Sequence, residues 1–159
     1  MKKFELTSET KINIFGKKLF RIKALISFRN VEAGETGGWV EKEENVNQSG
    51  DAWVFDNAEV YGNALVSGDA RVSGNARVSG NAWVSGNADY TTIRGFGTQF
   101  RTTTFFRCKD KQVKVSCGCF YGTIPEFREQ VKNTRKGKIA EEYLMIADLM
   151  EKHFAEEAK

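Results

Sequence analysis

DAWVFDNAEVYGNALVSGDARVSGNARVSGNAWVSGNADYTT, residues 51–92, divides into sixes. Alanine recurs at 52, 58, 64, 70, 76, 82 and 88, and valine at 54, 60, 66, 72, 78 and 84, with Tyr90 in the next slot. A fixed period of this kind is a structural repeat. Within each unit Ala and Val are two apart, so on an extended strand they share a side and the residue between them points away. Gly-Asn or Gly-Asp follows, and these residues accept a tight or left-handed backbone, so every unit ends in a corner. Strand and corner alternating around a small apolar interior make a solenoid. Three units close one triangular coil, and coils stack about 4.8 Å apart.

An eighteen-residue coil predicts columns. Trp53, Arg71 and Asp89 stack outward on one face, Glu59 lies under Arg77 on the second, and Leu65 lies under Trp83 on the third. Asn57/Asn75, Asn63/Asn81 and Asp69/Asn87 stack at the corners, where amide ladders are expected. Glu59–Arg77 is expected as a surface ion pair worth less than about 1 kcal/mol. An apolar Leu65/Trp83 face calls for cover by another segment or subunit.

The repeated V-S-G-N-A-R resembles the hexapeptide repeat of left-handed parallel β-helices. That resemblance implies the handedness, a homotrimer packed through a face of the prism (Trp53, Leu65, Trp83 or the C-terminal elements), and about three coils.

Beyond the repeat, the 159 residues suit one domain or a core with appendages. A net charge of +3 does not by itself argue for long nucleic acid. The distribution says more. Lys11–Arg29 has six bases and no acid, 32–59 has eight acids against Lys42, and Arg94–Lys114 has six bases against Asp110. These blocks can neutralise one another in the fold. Three cysteines, an odd number, suit free thiols in a reducing cytosol. With no apolar run of membrane-spanning length and no apolar signal core at MKKFELTSET, the expectation is a cytoplasmic protein.

In order, residues 1–32 read as an N-terminal cap of short strands that turns at Gly16-Lys17 and closes the bottom of the coil. The coil occupies 33–92. Gly38-Trp39-Val40 echoes Ala52-Trp53-Val54 at fourteen residues, so the first coil carries about two extra residues. Residues 93–159 follow. Arg94-Gly95-Phe96-Gly97 is read as a flexible or tightly turned exit. Phe100–Cys108 and Gln112–Phe120 are read as a hairpin, with Val113, Val115, Cys117 and Cys119 on one buried face. Thr123-Ile124-Pro125-Glu126 is a capping-box helix start. A last helix over about 138–158 carries Ile139, Tyr143, Ile146, Ala147, Met150 and Phe154 at helical spacing.

LFRIKALISFRNVEAGETGGWVEKEENV, with TTTFFRCKDKQVKVSCGCFYGTIPEFREQVKNT and AEEYLMIADLMEKHF, resembles a group of phage and prophage hexapeptide-repeat proteins with a C-terminal GCFxGT-type α/β module. The resemblance implies life inside an infected or lysogenic bacterial host.

Chemistry is sparse. Hexapeptide acyltransferases use a histidine base, and the related carbonic anhydrases need three histidines for zinc. The sole histidine here is His153, outside the repeat. Cys108, Cys117 and Cys119 with His153 lack a zinc-knuckle spacing. A Cys117 nucleophile has no visible base. No catalytic residue, metal or cofactor is therefore expected. Binding remains. Arg94, Phe96, Arg101, Thr102, Thr103, Thr104, Phe106, Arg107, Lys109 and Lys114 combine phosphate-holding cations, stacking aromatics and hydroxyls. The same pattern also fits a strand pair with a solvated basic face. The first expectation is a non-enzymatic accessory protein that sequesters an anionic nucleotide-like host signal and so blunts host defence. A scaffold for phage assembly or host-protein binding is the alternative, and a degenerate acyltransferase comes third.

Overall fold

The structure is a computed structural model and describes residues 2–155. Each hexapeptide delivers one two-residue strand. These are β4 (Trp53–Val54), β5 (Glu59–Val60), β6 (Leu65–Val66), β7 (Arg71–Val72), β8 (Arg77–Val78) and β9 (Trp83–Val84). The expected columns are present as parallel pairs, Trp53 with Arg71, Glu59 with Arg77 and Leu65 with Trp83. Every valine of the set from Val54 to Val84 is fully buried, with the alanines beside them. Below, β3 (Thr36–Val40) pairs with β5 so that Trp39 meets Glu59, while Val46 bridges Val66. Those twenty-residue offsets return to eighteen at Trp53, which places the two extra residues in the corner between Val46 and Trp53. The hexapeptides thus stack as a β-solenoid.

The corners depart from expectation. Asn57, Asn63, Asn75 and Asn81 are exposed, and their stacked side chains do not hydrogen-bond to one another among the described residues. Pairing through the corner is carried by backbone instead, from Asn57 N–H to the Gly74 carbonyl and from Asn63 N–H to the Gly80 carbonyl. Glycine takes the left-handed conformation at 50, 62, 68, 74 and 80, Asp56 (φ 56°) takes it in the slot that lacks glycine, and Gly86, where the repeat gives way to the layer above, is extended.

A finite stack leaves unpaired backbone at both ends. At the bottom, β1 (Phe4–Ile12) and β2 (Lys18–Ala24) form the expected antiparallel hairpin, and β2 continues the sheet onto β3. The buried Lys3 ammonium donates to the Gly50 and Ala52 carbonyls. Phe4 and Phe28 pack edge-on against Trp53 at 5.9 and 5.3 Å, so Trp53 is fully buried. It is covered by its own chain and is not an oligomer face, a correction to its outward assignment.

At the top, N–H groups of the last coil meet side-chain oxygens. Arg71 N–H donates to Asn87, Ser73 to Tyr90, Arg77 to Thr104 and Ser85 to Asp89. Above lies a four-stranded antiparallel sheet of β10 (Tyr90–Phe96), β11 (Arg101–Arg107), β12 (Val113–Cys117) and β13 (Phe120–Thr123). The expected hairpin is its centre, β11 and β12. The exit lies on a strand, with Tyr90–Ile93 paired in register with β11, and of the two expected forms it is the tightly turned one: the register breaks between Ile93 and Phe96, Gly95 and Gly97 take φ of 93° and 77°, and a turn follows over 97–100. Alternation along β11 splits its side chains. Phe106 and Cys108 close the solenoid core, while Phe105 faces the second core with α1 (Ile124–Thr134) and α2 (Gly137–Phe154). Thr123 caps α1, with the Glu126 side chain returning to the Thr123 N–H. α2 ends at Phe154, with Ala155 already extended, short of the expected end near 158; residues 156–158 lie outside the described residues. Among those described, no helix is long and apolar enough to cross a membrane.

Candidate functional site: an arginine-lined cleft

Three separate elements converge where the sheet overhangs the coil. β8 presents Arg77, with Asn75 ahead of it. β10 and β11 present Arg94, Arg101 and Thr102, and the turn between them adds Gln99 and Phe100. Ile14, at the tip of the N-terminal hairpin, forms the opposite wall. The cleft holds about 570 Å³, and no carboxylate is among its lining residues.

Two of the three guanidinium groups are positioned by packing. Arg77 Nη1 donates to the Gly118 carbonyl at 2.9 Å. Behind it, Glu59 is nearly buried and serves as a hub. It takes Lys11 at 3.0 Å and the Asn13 amide at 3.2 Å, and Arg77 lies 4.0 Å away. The expected isolated surface pair is therefore a junction tying the hairpin tip to the cleft wall. Arg101 packs across Gly118, where any side chain would occupy the place of its guanidinium. Arg94 is exposed, as is Phe100 at 70%.

Of the ten residues expected to bind, Arg94, Arg101 and Thr102 lie here. The others have structural roles. Thr103, Thr104 and Phe106 are buried, and Thr104 caps Arg77 N–H. Phe96 packs in the helix-side core. Arg107 turns to the far end, bonding Asp89 and the Phe154 carbonyl at the C-terminus of α2, both at 3.3 Å. Lys109 covers the Trp83 ring and Lys114 the Tyr121 ring. Alternation along β11 and a register shift in β10 separate residues that are neighbours in sequence.

Missed from sequence were Arg77, Asn75, Gln99 and Ile14. Arg77 occupies an outward slot of the repeat, which was the available signal. Phe100 supplies the aromatic wall in place of Phe96.

The cysteines do not form one buried face. Cys108 is buried in the solenoid core, and burial pushes its thiol up to about 11, an unreactive state. Cys117 is half-buried on the helix side, where Thr103 donates to its sulfur at 3.2 Å. Cys119 has left the strand and is exposed. His153 stands edge-on to Phe154 on the last turn of α2. No group of three or more His, Cys, Asp or Glu side chains is placed to hold a metal among the described residues.

Coil stack, capped edges and cleft define a β-solenoid with a basic pocket at its upper end. A family model described as the YdcK beta solenoid repeat matches residues 58–73 and 70–86, the central hexapeptides. Comparison with curated proteins finds no match.

Proposed function

We propose that the chain is a non-enzymatic binding protein whose cleft holds a phosphate-bearing small molecule of nucleotide type. The observation that carries this reading is the convergence of Arg77, Arg94 and Arg101 on one cleft with no lining carboxylate. Guanidinium forks match phosphate oxygens in pairs, and Phe100 with Ile14 offers an apolar wall for a base. The biological role rests on the phage and prophage resemblance: sequestration of such a host signal inside the bacterial cell, against host defence. From the hexapeptide resemblance we further infer a left-handed coil of about three turns and three copies assembled around the prism.

A scaffold role is the second reading. It is favoured by the Leu65–Trp83 column, which the chain covers only in part, with Lys109 over one ring face and Trp83 still 44% exposed.

A thermal-shift screen against linear and cyclic nucleotides, with acetyl-CoA included, tests the first reading, because a ligand that binds only the folded state raises Tm. A rise with a nucleotide supports it. A flat panel overturns it in favour of the scaffold, and a rise with acetyl-CoA alone favours the acyltransferase descent.

A further inference from the structure

Helix α2 carries two stripes on opposite faces, and the fold uses one. Tyr143, Ile146, Ala147, Met150 and Phe154 are buried against the sheet and α1. On the far side, Met145 is 70% exposed and Leu149 56% exposed. A surface helix of an isolated domain normally shows solvent a polar back. Here the back has its own order. Lys138, Glu142, Met145, Leu149 and Lys152 follow one another at steps of four, three, four and three. That is the 3.5-residue spacing of a helix–helix seam, with an apolar centre and charged ends.

The seam is self-complementary. Met145 and Leu149 are equidistant from position 147, and so are Glu142 and Lys152. One two-fold axis at that level therefore serves both pairs. An antiparallel copy sets Met145 against the partner's Leu149 and Glu142 against the partner's Lys152, each contact made twice. A parallel copy sets like charge on like charge at both ends. Among the described residues, Glu142 and Lys152 have no ion-pair partner within the chain. The acids on the flank toward α1, Asp148 and Glu151, are held by Arg128 at 2.8 and 2.9 Å. Antiparallel pairing also places each helix C-terminus beside the other's N-terminus, the favourable order for their dipoles.

We infer that the outer face of α2 is an interface for a second copy of this chain, docked antiparallel about a two-fold axis that crosses that outer face between Met145 and Leu149. Two apolar side chains per copy make a small contact of the weak, reversible class. This interface is independent of the cleft and of any three-fold packing of the prism; with the latter it doubles whatever unit the prism forms.

Sedimentation velocity over a rising concentration series tests it. The wild-type chain doubles in mass as concentration rises. Glu142→Lys and Lys152→Glu each abolish doubling, because like charges then meet across the axis. An equimolar mixture of the two variants regains it, because each chain now complements the other. Circular dichroism melts of the variants match wild type, since both sites are at the surface. A wild-type chain that keeps one mass throughout overturns the inference. So do single variants that still double, and a mixture that fails to recover.

Discussion

The coil stack and the sheet–helix layer above it are both built on β-strands, yet their sequences specify them in different ways. In the stack, position within the hexapeptide determines environment: Val54 and Val84 are five units apart and both fully buried. In the layer, environment comes from neighbours far along the chain. Thr103 and Thr104 are adjacent, polar and buried, one facing the helices and the other capping a coil N–H. Arg107 resembles a ligand residue in sequence but is committed to Asp89 and the end of α2. A repeat can thus be read locally, whereas a layer that closes a repeat has to be read together with what it covers.

The sharpest break in this comparison is at Phe106, the residue of β11 that closes the solenoid core. Phe106→Ala should cost about 3–5 kcal/mol in chemical denaturation, through lost burial and a cavity shared by both regions. Phe100→Ala, on an exposed ring in the same segment, should stay within about 0.5 kcal/mol. Equal effects would mean that the layer does not seal the coil.

A second test probes the two ends of the stack, which require opposite chemistry. Acceptor side chains cap N–H groups at the top, whereas Lys3 donates to carbonyls at the bottom. Burial lowers Lys3 to about 8, partly offset by Asp51, against about 10.4 in an unfolded chain. Between those values the unfolded chain holds more protons, so this group's contribution to stability rises with pH. The cost of burying the ammonium is fully present below about pH 8 and is relieved toward pH 10. Relative to Lys3→Met, the wild-type chain should gain about 2 kcal/mol between about pH 7 and pH 10. Cys108 and Tyr121, raised by burial, act with the opposite sign and cancel in that difference.

The smallest effect sharpens the repeat itself. Gly68 and Gly74 both have left-handed φ, 61° and 65°. A Cβ at Gly74 meets open space, whereas one at Gly68 meets the Ser85 carbonyl of the next coil. Gly74→Ala should cost about 1 kcal/mol of backbone strain, with Gly68→Ala costing more because the coil above must shift. Thermal melts of the two variants decide this.

What could be read in the sequence follows the same division. The eighteen-residue columns, the two-residue irregularity and the capping box of α1 were legible because each rests on local spacing. The burial of Trp53 was not, because Phe4 and Phe28 arrive from outside the repeat. Strand β10 was hidden because Tyr90 keeps the hexapeptide phase while already pairing with Phe106. The basic segment was legible as composition. Its geometry was not, because Arg101 and Arg107 share a face of β11 but stand at its two ends, a register shift interrupts β10 at Arg94, and Arg77 joins from the coil.

The most direct test of the arginine cleft is a calorimetric titration of the nucleotide giving the largest thermal shift. It should be run against wild type, Arg94→Ala/Arg101→Ala and Lys109→Ala/Lys114→Ala. All four positions lie in the same basic stretch, but only the first pair lines the cleft. The account predicts that heat of binding is lost in the arginine double variant and kept in the lysine double variant. Binding that survives without Arg94 and Arg101, or that disappears with the two lysines, would contradict it.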